Sequence, residues 1–438
     1  MLKEKIMIKR FFIQIVLLLP LTVGAQIGLS LQSAVDTALK NNFDIRIARN
    51  NAFIGKINNK LGMAGALPSV NFNAVDNESF TNIDQKLNSG AEIKKNNSVA
   101  NNLTSGISAS ITLFNGLKVI SAKSRLNCQQ KQSELILNQQ VQNIMAAVMI
   151  KYYDIIRQLG YLKVLQNSVD VSRKKLEIVS ERSKAGMANE ADMLQAQIDL
   201  NLSEQNMKSQ ALVVDQAKTD LLQLICVKKH FEYDVKDSIL VDESIVSDSV
   251  YRFMMRNPQL LSAEQQIKIS EFTAKEVAAQ RYPSLKLNAA YNFNLTKSDA
   301  GLTIFNQNYG PMAGLSLQIP LFNGNVYNIQ HKTALYNVND SKLQKESLLG
   351  AMLADAIKTY QSYKNNLQQM KSQQGNLVLA GKLVRIVLEK FRLNQSTILD
   401  VKTAQSSYES NAYLLLNLQY AAKASEIELK RLMYNLKN

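Results

Sequence analysis

The stretch that decides the fold is Ile111-Thr-Leu-Phe-Asn-Gly116, because it returns as Ile319-Pro-Leu-Phe-Asn-Gly324, 208 residues later. The same offset carries Glu181-Arg182 onto Glu389-Lys390, Asp192 onto Asp400, Ala196-Gln197 onto Ala404-Gln405 and Leu224 onto Leu432. An offset that holds from Ile111 to Leu224 requires two segments of equal length without insertions, so the chain reads as one unit written twice. Upstream, Ala66-Leu67-Pro68-Ser69 matches Arg281-Tyr282-Pro283-Ser284 at an offset of 215, which puts the extra residues of the first copy between Pro68 and Phe114.

Outward from that motif, each copy has the order helix, strand, loop, strand, long helical hairpin. Past Pro283, the apolar Leu285, Leu287, Ala289, Tyr291, Phe293 and Leu295 alternate with Lys286, Asn288, Asn292, Asn294 and Thr296. Ala313, Leu315, Leu317, Ile319 and Leu321 repeat this against Ser316 and Gln318, and Ile107, Ala109, Ile111 and Leu113 do so against Ser108, Ser110 and Thr112. The alternation after Pro68 is weaker, with Val70, Phe72 and Ala74 against Asn71 and Asn73. A period of two means a strand with one apolar and one polar face. The pattern predicts strands over about 69–76, 103–114, 284–296 and 310–322, joined by Asn-, Ser- and Lys-rich loops at 76–102 and 297–309.

The following segments repeat every seven residues instead. Val141, Val148, Ile155, Leu162, Val169 and Leu176 form one row, with Met145, Tyr152 and Leu159 as its companion. Met193, Leu200, Met207, Val214 and Leu221 continue on the returning arm; Leu349, Tyr363, Met370, Leu377 and Val384, then Val401, Tyr408, Leu415 and Leu429, echo both in the second copy. Sustained heptads mean coiled-coil packing, and no Pro interrupts Pro68 to Pro258. As a helix, 117–184 spans roughly 100 Å, the arm 188–226 about 58 Å and the helix 41–65 about 37 Å, so the two shorter ones end to end match the long one. The same sum works for 257–281 and 396–433. The expected organisation is repeat 1 over 26–226 with its helical hairpin at 117–226, a polar linker 227–256, and repeat 2 over 257–438 with its hairpin at 325–433.

Composition agrees with helices: among 438 residues there are no Trp, 6 Pro and 17 Gly, too few turn formers for an all-β fold or a conventional α/β enzyme. Lys3, Lys5, Lys9 and Arg10 precede the apolar run Phe11 to Leu21 and the small-residue site Val23-Gly24-Ala25, which reads as a signal peptide over 1–25. That run is shorter than the roughly 20 residues of a spanning helix, and no later stretch reaches that length. Net charge is +15, but the bases are scattered rather than striped among aromatics, so no nucleic-acid partner is expected. Cys128 and Cys226 lie 58 and 40 residues from Gly186 on opposite arms. Their heights then differ by roughly 27 Å, beyond disulfide reach, so two free thiols are expected. His230 and His331 lack companions at ligand spacing, and no nucleophile or phosphate-loop motif occurs. The expectation is no catalytic residue, no metal, no cofactor and no enzyme.

Four strands of this polarity suit an outer membrane, with apolar residues toward lipid and polar ones toward a lumen. Open sheet edges cannot stay unpaired in lipid, and bacterial barrels begin at about eight strands, so the chain must oligomerise. A polar inner face that includes Lys286 favours a watery interior, hence three copies over two.

Further motifs stand in order with these: the opening helix Leu31-Gln-Ser-Ala-Val-Asp-Thr-Ala-Leu-Lys-Asn-Asn42, Leu-Phe-Asn-Gly at 113–116 and 321–324, and two helical turns. The turns are Ala185-Gly186…Asp192-Met-Leu-Gln-Ala-Gln197 and Leu393-Asn394…Asp400-Val-Lys-Thr-Ala-Gln405. On these motifs the chain resembles the TolC-like outer-membrane efflux proteins from Leu29 to Leu436. The resemblance implies a mainly α fold with a small β part. It implies a homotrimer whose twelve-stranded β-barrel sits in outer-membrane lipid and continues as a twelve-helix α-barrel across the periplasm. It also implies a passive exit duct working with a periplasmic adaptor (membrane fusion) protein and an inner-membrane pump, either of the resistance-nodulation-division type or ATP-driven. Small-molecule efflux is the first expectation; a type I secretion duct for proteins or peptides, and a non-conducting envelope coiled coil, are the alternatives.

Three groups of site residues follow. Lys286, Asn288, Ser108, Ser110, Thr112, Ser316 and Gln318 are expected to line the lumen. Gly186 sits where a helix must stop in a left-handed conformation, and Asn394 takes that place in the second copy. With Lys184, Met187, Arg392 and Gln395 these form the turns farthest from the strands, read either as an adaptor-docking surface or as plain solvated turns. In the family, acidic residues just after one turn ring a closed mouth. Asp400 matches that position, Asp192 is its counterpart, and the family's second acid is Thr403 here. The competing role for Asp400 is a carboxylate favoured by the helix dipole.

Overall fold

The computed structural model describes residues 27–227, 233–235 and 237–436. The expected signal at 1–25 and His230 lie outside the described residues. The helices are α1 (Leu31–Asn41), α2 (Phe43–Asn58), α3 (Lys118–Lys184), α4 (Glu190–Leu224), α5 (Ser247–Met254), α6 (Pro258–Ala279), α7 (Val326–Arg392) and α8 (Ile398–Leu432). The strands are β1 (Ile27–Gly28), β2 (Ser69–Lys86), β3 (Glu92–Asn115), β4 (Tyr233–Asp234), β5 (Ser284–Ser298) and β6 (Phe305–Gln318).

α3 and α7 are 67 residues each, and α4 and α8 are 35 each. Next to the sheet the helices pack in the order α2, α3, α6, α7; away from it the order is α4, α3, α8, α7. The opening helix quoted at 31–42 is α1, and the helix expected over 41–65 is the shorter α2, which ends at Asn58; the two meet at Asn42. Its Oδ1 accepts the Asp44 and Ile45 N–H groups at the start of α2, while its Nδ2 donates to the Leu224 carbonyl at the end of α4 (2.9 Å). Asn257 repeats the device: it accepts from Gln259 N–H at the start of α6 and donates to the Leu432 carbonyl at the end of α8 (2.9 Å). One buried amide thus satisfies an orphan donor of one helix and an orphan acceptor of the other. That is how two short helices stack end to end beside each long one.

The heptad rows are the core. Val148, Tyr152, Ile155, Val169, Leu200, Val214 and Leu221 are buried along the first hairpin, and Tyr363, Met370, Val384, Val401, Leu415 and Leu429 along the second. Around the belt where the short helices meet, Val35, Ala38, Leu221 and Ile225 close on α3, and Met254, Leu260 and Leu432 close on α7. β1 and β4 pair in parallel there, joining the start of the described chain to the segment before α5. Among the described residues no helix is long and apolar enough to cross a membrane. Cys128 and Cys226 are free thiols.

β2, β3, β5 and β6 form one antiparallel sheet in that order, leaving β2 and β6 as edges. The strands overrun the alternation that predicted them. The segment expected as a loop at 76–102 is almost entirely ladder, from Asp76↔Leu103 to Lys86↔Glu92, with one irregularity between Thr81 and Ile83. Backbone pairing continues where both faces turn polar, helped by cross-strand pairs such as Lys86–Glu92 and Lys94–Asp84, both at 2.9 Å. In the second hairpin, β5 takes in Lys297 and Ser298, and β6 runs from Phe305 to Gln318 rather than over 310–322. It stops before Ile319-Pro320, while Pro311 is accommodated inside this edge strand opposite Tyr291.

Candidate channel wall and helical turns

Cross-strand register settles which residues share a face of the sheet. Thr112 pairs with Lys286 and Lys286 with Ser316; Ser110 pairs with Asn288, Ser108 with Ala290, and Gln318 with Ser284. Directly opposed residues lie on the same face, so all seven residues expected in the lumen occupy one face. The other face carries Ala109↔Ala289, Ile111↔Leu287, Ile107↔Tyr291 and Leu287↔Leu315. It is apolar and exposed: Phe72 is 68% accessible, Leu315 67% and Leu317 62%.

At the opposite end of the long helices, Gly186 has φ +72° and Asn394 +63°, the left-handed stops the sequence requires. The Met187 and Gln395 N–H groups reach back to the Arg182 and Lys390 carbonyls, each at 2.8 Å, which closes the last helical turn. Lys184, Gly186, Met187, Arg392, Asn394 and Gln395 are all exposed there, Met187 at 72%. Thr397 and Asp400 form a capping box at the start of α8: the Thr397 hydroxyl accepts the Asp400 N–H, and the Asp400 carboxylate accepts the Thr397 N–H at 2.8 Å. Those hydrogen bonds, from the Thr397 backbone first and its hydroxyl second, hold the Asp400 carboxyl below the ordinary aspartate value. Asp192 stands at the matching place in α4, where its N–H is capped by Asn189 Oδ1 at 2.7 Å. Thr403 is exposed and donates its hydroxyl to the Leu399 carbonyl. Within one chain, Asp400 is therefore engaged as a cap, and among the described residues no hydrogen bond joins it to Asp192 or Thr403.

Just inside these turns lies a cluster that the heptad reading missed. Lys175 of α3, with its side chain 1% exposed, donates to Asp199 Oδ2 of α4 at 2.5 Å. Lys402 of α8 donates to the other oxygen at 3.0 Å, and Gln195 adds a third donor at 2.8 Å. Burial by itself would raise the Asp199 pKa; the bonds from Lys175 and Lys402 outweigh it and hold the carboxyl below the ordinary value. One carboxylate thus ties three helices. It belongs to a polar row on α3 that receives α8 and the end of α7. Arg182 donates to the Phe391 carbonyl, the Ser168 carbonyl accepts from Gln405 (3.2 Å), Tyr161 rests against Tyr413 (4.8 Å between rings), and Arg157 donates to Asn417 (2.8 Å). Lys175, Ser168 and Tyr161 recur every seven residues, so a search for polar as well as apolar heptads would have found the row.

A polar-lined, lipid-compatible sheet continued by paired helical hairpins is what one family of envelope proteins builds. The sequence profile described as Outer membrane efflux protein matches residues 34–226 and 250–433. The chain belongs to that family. It is similar to the proteases secretion protein PrtF of Dickeya chrysanthemi, 20% identical over 94% of this chain and 89% of PrtF. It is also similar to the outer membrane protein TolC of Escherichia coli, 20% identical over 81% of this chain and 75% of TolC. The solved Campylobacter jejuni CmeC outer membrane channel superposes with a TM-score of 0.75 at 16% identity, covering 92% of this chain and 85% of CmeC. The family member described here is accordingly a non-enzymatic outer-membrane channel for efflux or secretion that extends into the periplasm.

Proposed function

We propose that three copies of the chain close a twelve-stranded barrel, with a twelve-helix tube below it, and serve as the passive exit duct of a tripartite export system for small molecules. The observation that carries this reading is the sheet itself: two unpaired edges, β2 and β6, one exposed apolar face and one polar face. In lipid such edges are untenable until they pair with another copy. β6 of one copy meeting β2 of the next is a head-to-tail contact that closes into a ring. The outer helices of the layer support the same join, since Phe43, Ile47, Ile54 and Ile57 of α2 and Leu335, Tyr336 and Leu343 of α7 are exposed.

In this reading 26–226 and 257–438 are two copies of one unit joined by 227–256. Lys286, Asn288, Ser108, Ser110, Thr112, Ser316 and Gln318 face the lumen. The exposed turns at Lys184, Gly186 and Met187 and at Arg392, Asn394 and Gln395 dock the periplasmic adaptor, with an inner-membrane pump beneath. Asp400, Asp192 and Thr403 stand at the mouth, and Asp400 doubles as the cap of α8. PrtF, by its name, serves protease secretion, so a secretion duct is the second reading. Crosslinking in native envelopes followed by mass spectrometry of the purified complex separates the two. A resistance-nodulation-division pump with its adaptor supports small-molecule efflux, an ATP-driven exporter supports secretion, and recovery of no inner-membrane partner refutes the tripartite duct.

A further inference from the structure

The polar face of the sheet is unusual in what it omits. Through the continuous ladder, the residues on that face are Asn, Ser, Thr, Gly, Gln, Ala, Val and Met, and Lys286 is the single ionisable group. Asp76, Glu78 and Lys297 fall on the opposite face. Lys286 lies at the base of the sheet, where a hollow of about 450 Å³ opens beside Thr112, Ser284, Gln318, Tyr327 and a second lysine, Lys118. Both lysines are exposed, and among the described residues neither has a carboxylate within ion-pair distance.

The surrounding level deepens the bias. In the spans 56–68, 116–125, 275–286 and 323–332 that make this junction, Glu276 is the only acidic residue, and Arg125 neutralises it at 2.5 Å. Lys56, Lys60, Lys123, Lys275, Arg281 and Lys332 add positive charge at the same height. Helix dipoles do not offset this, because α3 and α7 begin here while α2 and α6 end here, so opposite poles meet.

We propose that Lys286, with Lys118 beside it, makes the duct anion-selective, so that its cargo is small molecules or ions of net negative charge. The inference rests on the proposed trimeric duct, in which three copies of each lysine ring the lumen. A twelve-stranded barrel has a backbone radius of about 12 Å from the strand spacing and tilt. Inward-reaching ammonium groups then leave no point of the lumen much beyond the Debye length of about 10 Å at 0.1 M salt. The ring depletes cations and concentrates anions across its own cross-section.

The test is the reversal potential of single channels of the full-length protein in planar bilayers under a KCl gradient. Chloride is expected to permeate at least about threefold better than potassium near 0.1 M salt, a preference that fades at 1 M, where the Debye length is about 3 Å. Lys286→Arg should keep the preference, Lys286→Gln should bring it toward unity, and Lys286→Glu should reverse it. A conducting wild-type channel that prefers potassium overturns the inference alone, as does a chloride preference unmoved in Lys286→Gln and Lys286→Glu. Absence of conductance in the wild type and every variant overturns the duct reading and this inference with it.

Discussion

Replacing Asp199 by Asn should loosen the helical turns and leave the β-sheet end untouched. Asp199 is 6% exposed and, among the described residues, is the one carboxylate in ion-pair contact with Lys175, whose side chain is 1% exposed. Removing one partner of a buried pair costs about 3–5 kcal/mol, because a charge is left without compensation. Asp199→Asn belongs at the upper end, since Lys175 loses its anion. Lys175→Met belongs at the lower end, because Lys402 at 3.0 Å and Gln195 at 2.8 Å still bind Asp199. Replacing both, with Met at 175 and Leu at 199, removes the charge along with its partner and should cost about 1 kcal/mol or less. The assay is hydrogen exchange by mass spectrometry on the detergent-solubilised protein, read at peptides covering 168–182, 190–203 and 398–408. At tenfold per about 1.4 kcal/mol, exchange there should rise by about two decades or more in Asp199→Asn. Peptides from β3 and β5 should not change. Exchange within about threefold of wild type in Asp199→Asn, or a double replacement worse than either single one, would refute the reasoning.

Acid should mimic that substitution. Asp199 has its folded pKa held below the unfolded value of about 3.9, so the cluster's contribution is complete above about pH 4 and is lost as pH falls through the depressed folded value; exchange at the same peptides, corrected for intrinsic rates, should be flat from neutrality to about pH 5 and climb below pH 4. Gly116→Ala should impair folding more than Gly324→Ala. Both residues sit near φ +65°, worth about 1–2 kcal/mol of strain for a non-glycine residue, but a Cβ at 116 lies 2.8 Å from the Ala279 carbonyl, whereas at 324 nothing lies within 4 Å. The yield of folded protein in outer-membrane fractions measures the difference, and equal yields would contradict it. Thr397→Ala removes the hydroxyl of the α8 capping box at a cost of about 1 kcal/mol. Faster exchange confined to the first turn of α8 is the expected sign, and unchanged exchange there would count against the cap.

The parts of the molecule that follow a period were legible in the sequence, and those that break one were not. Heptads placed α3, α4, α7 and α8 within a residue or two of their observed ends, because coiled-coil burial is written as spacing. Alternation placed the seven residues expected in the lumen on a common face because the pleat has no other option. Alternation died at Asp76 and Lys297, however, and the strands continued, since a ladder is held by backbone groups that no side-chain pattern reports. Asn42 and Asn257 were invisible for the opposite reason: a single amide that caps one helix and ties down another leaves no repeat. Asp400 was readable as an acid beside a turn, but not its bond to Thr397. The triad at Asp199 was missed because only apolar heptads were followed.

The two seams on α3 have different physics. Its seam with α4 buries Val148, Val169, Val179, Leu200 and Val214 and resists exposure to water. Its seam with α8 carries the bonds of Gln405 to Ser168 and Ser172, and Lys402 reaches across to Asp199, hydrogen bonds that water can replace. Near the turns the two hairpins are also held by an apolar cluster of Val179 and Ala196 with Phe391 and Val401.

The central claim is that three chains close one barrel, and native mass spectrometry of the protein extracted from outer membranes tests it most directly. The account predicts a single dominant species of three chains, covalently captured when a cysteine pair is introduced between the β2 and β6 edges. A dominant species of one or two chains, or capture only within a chain, would contradict it.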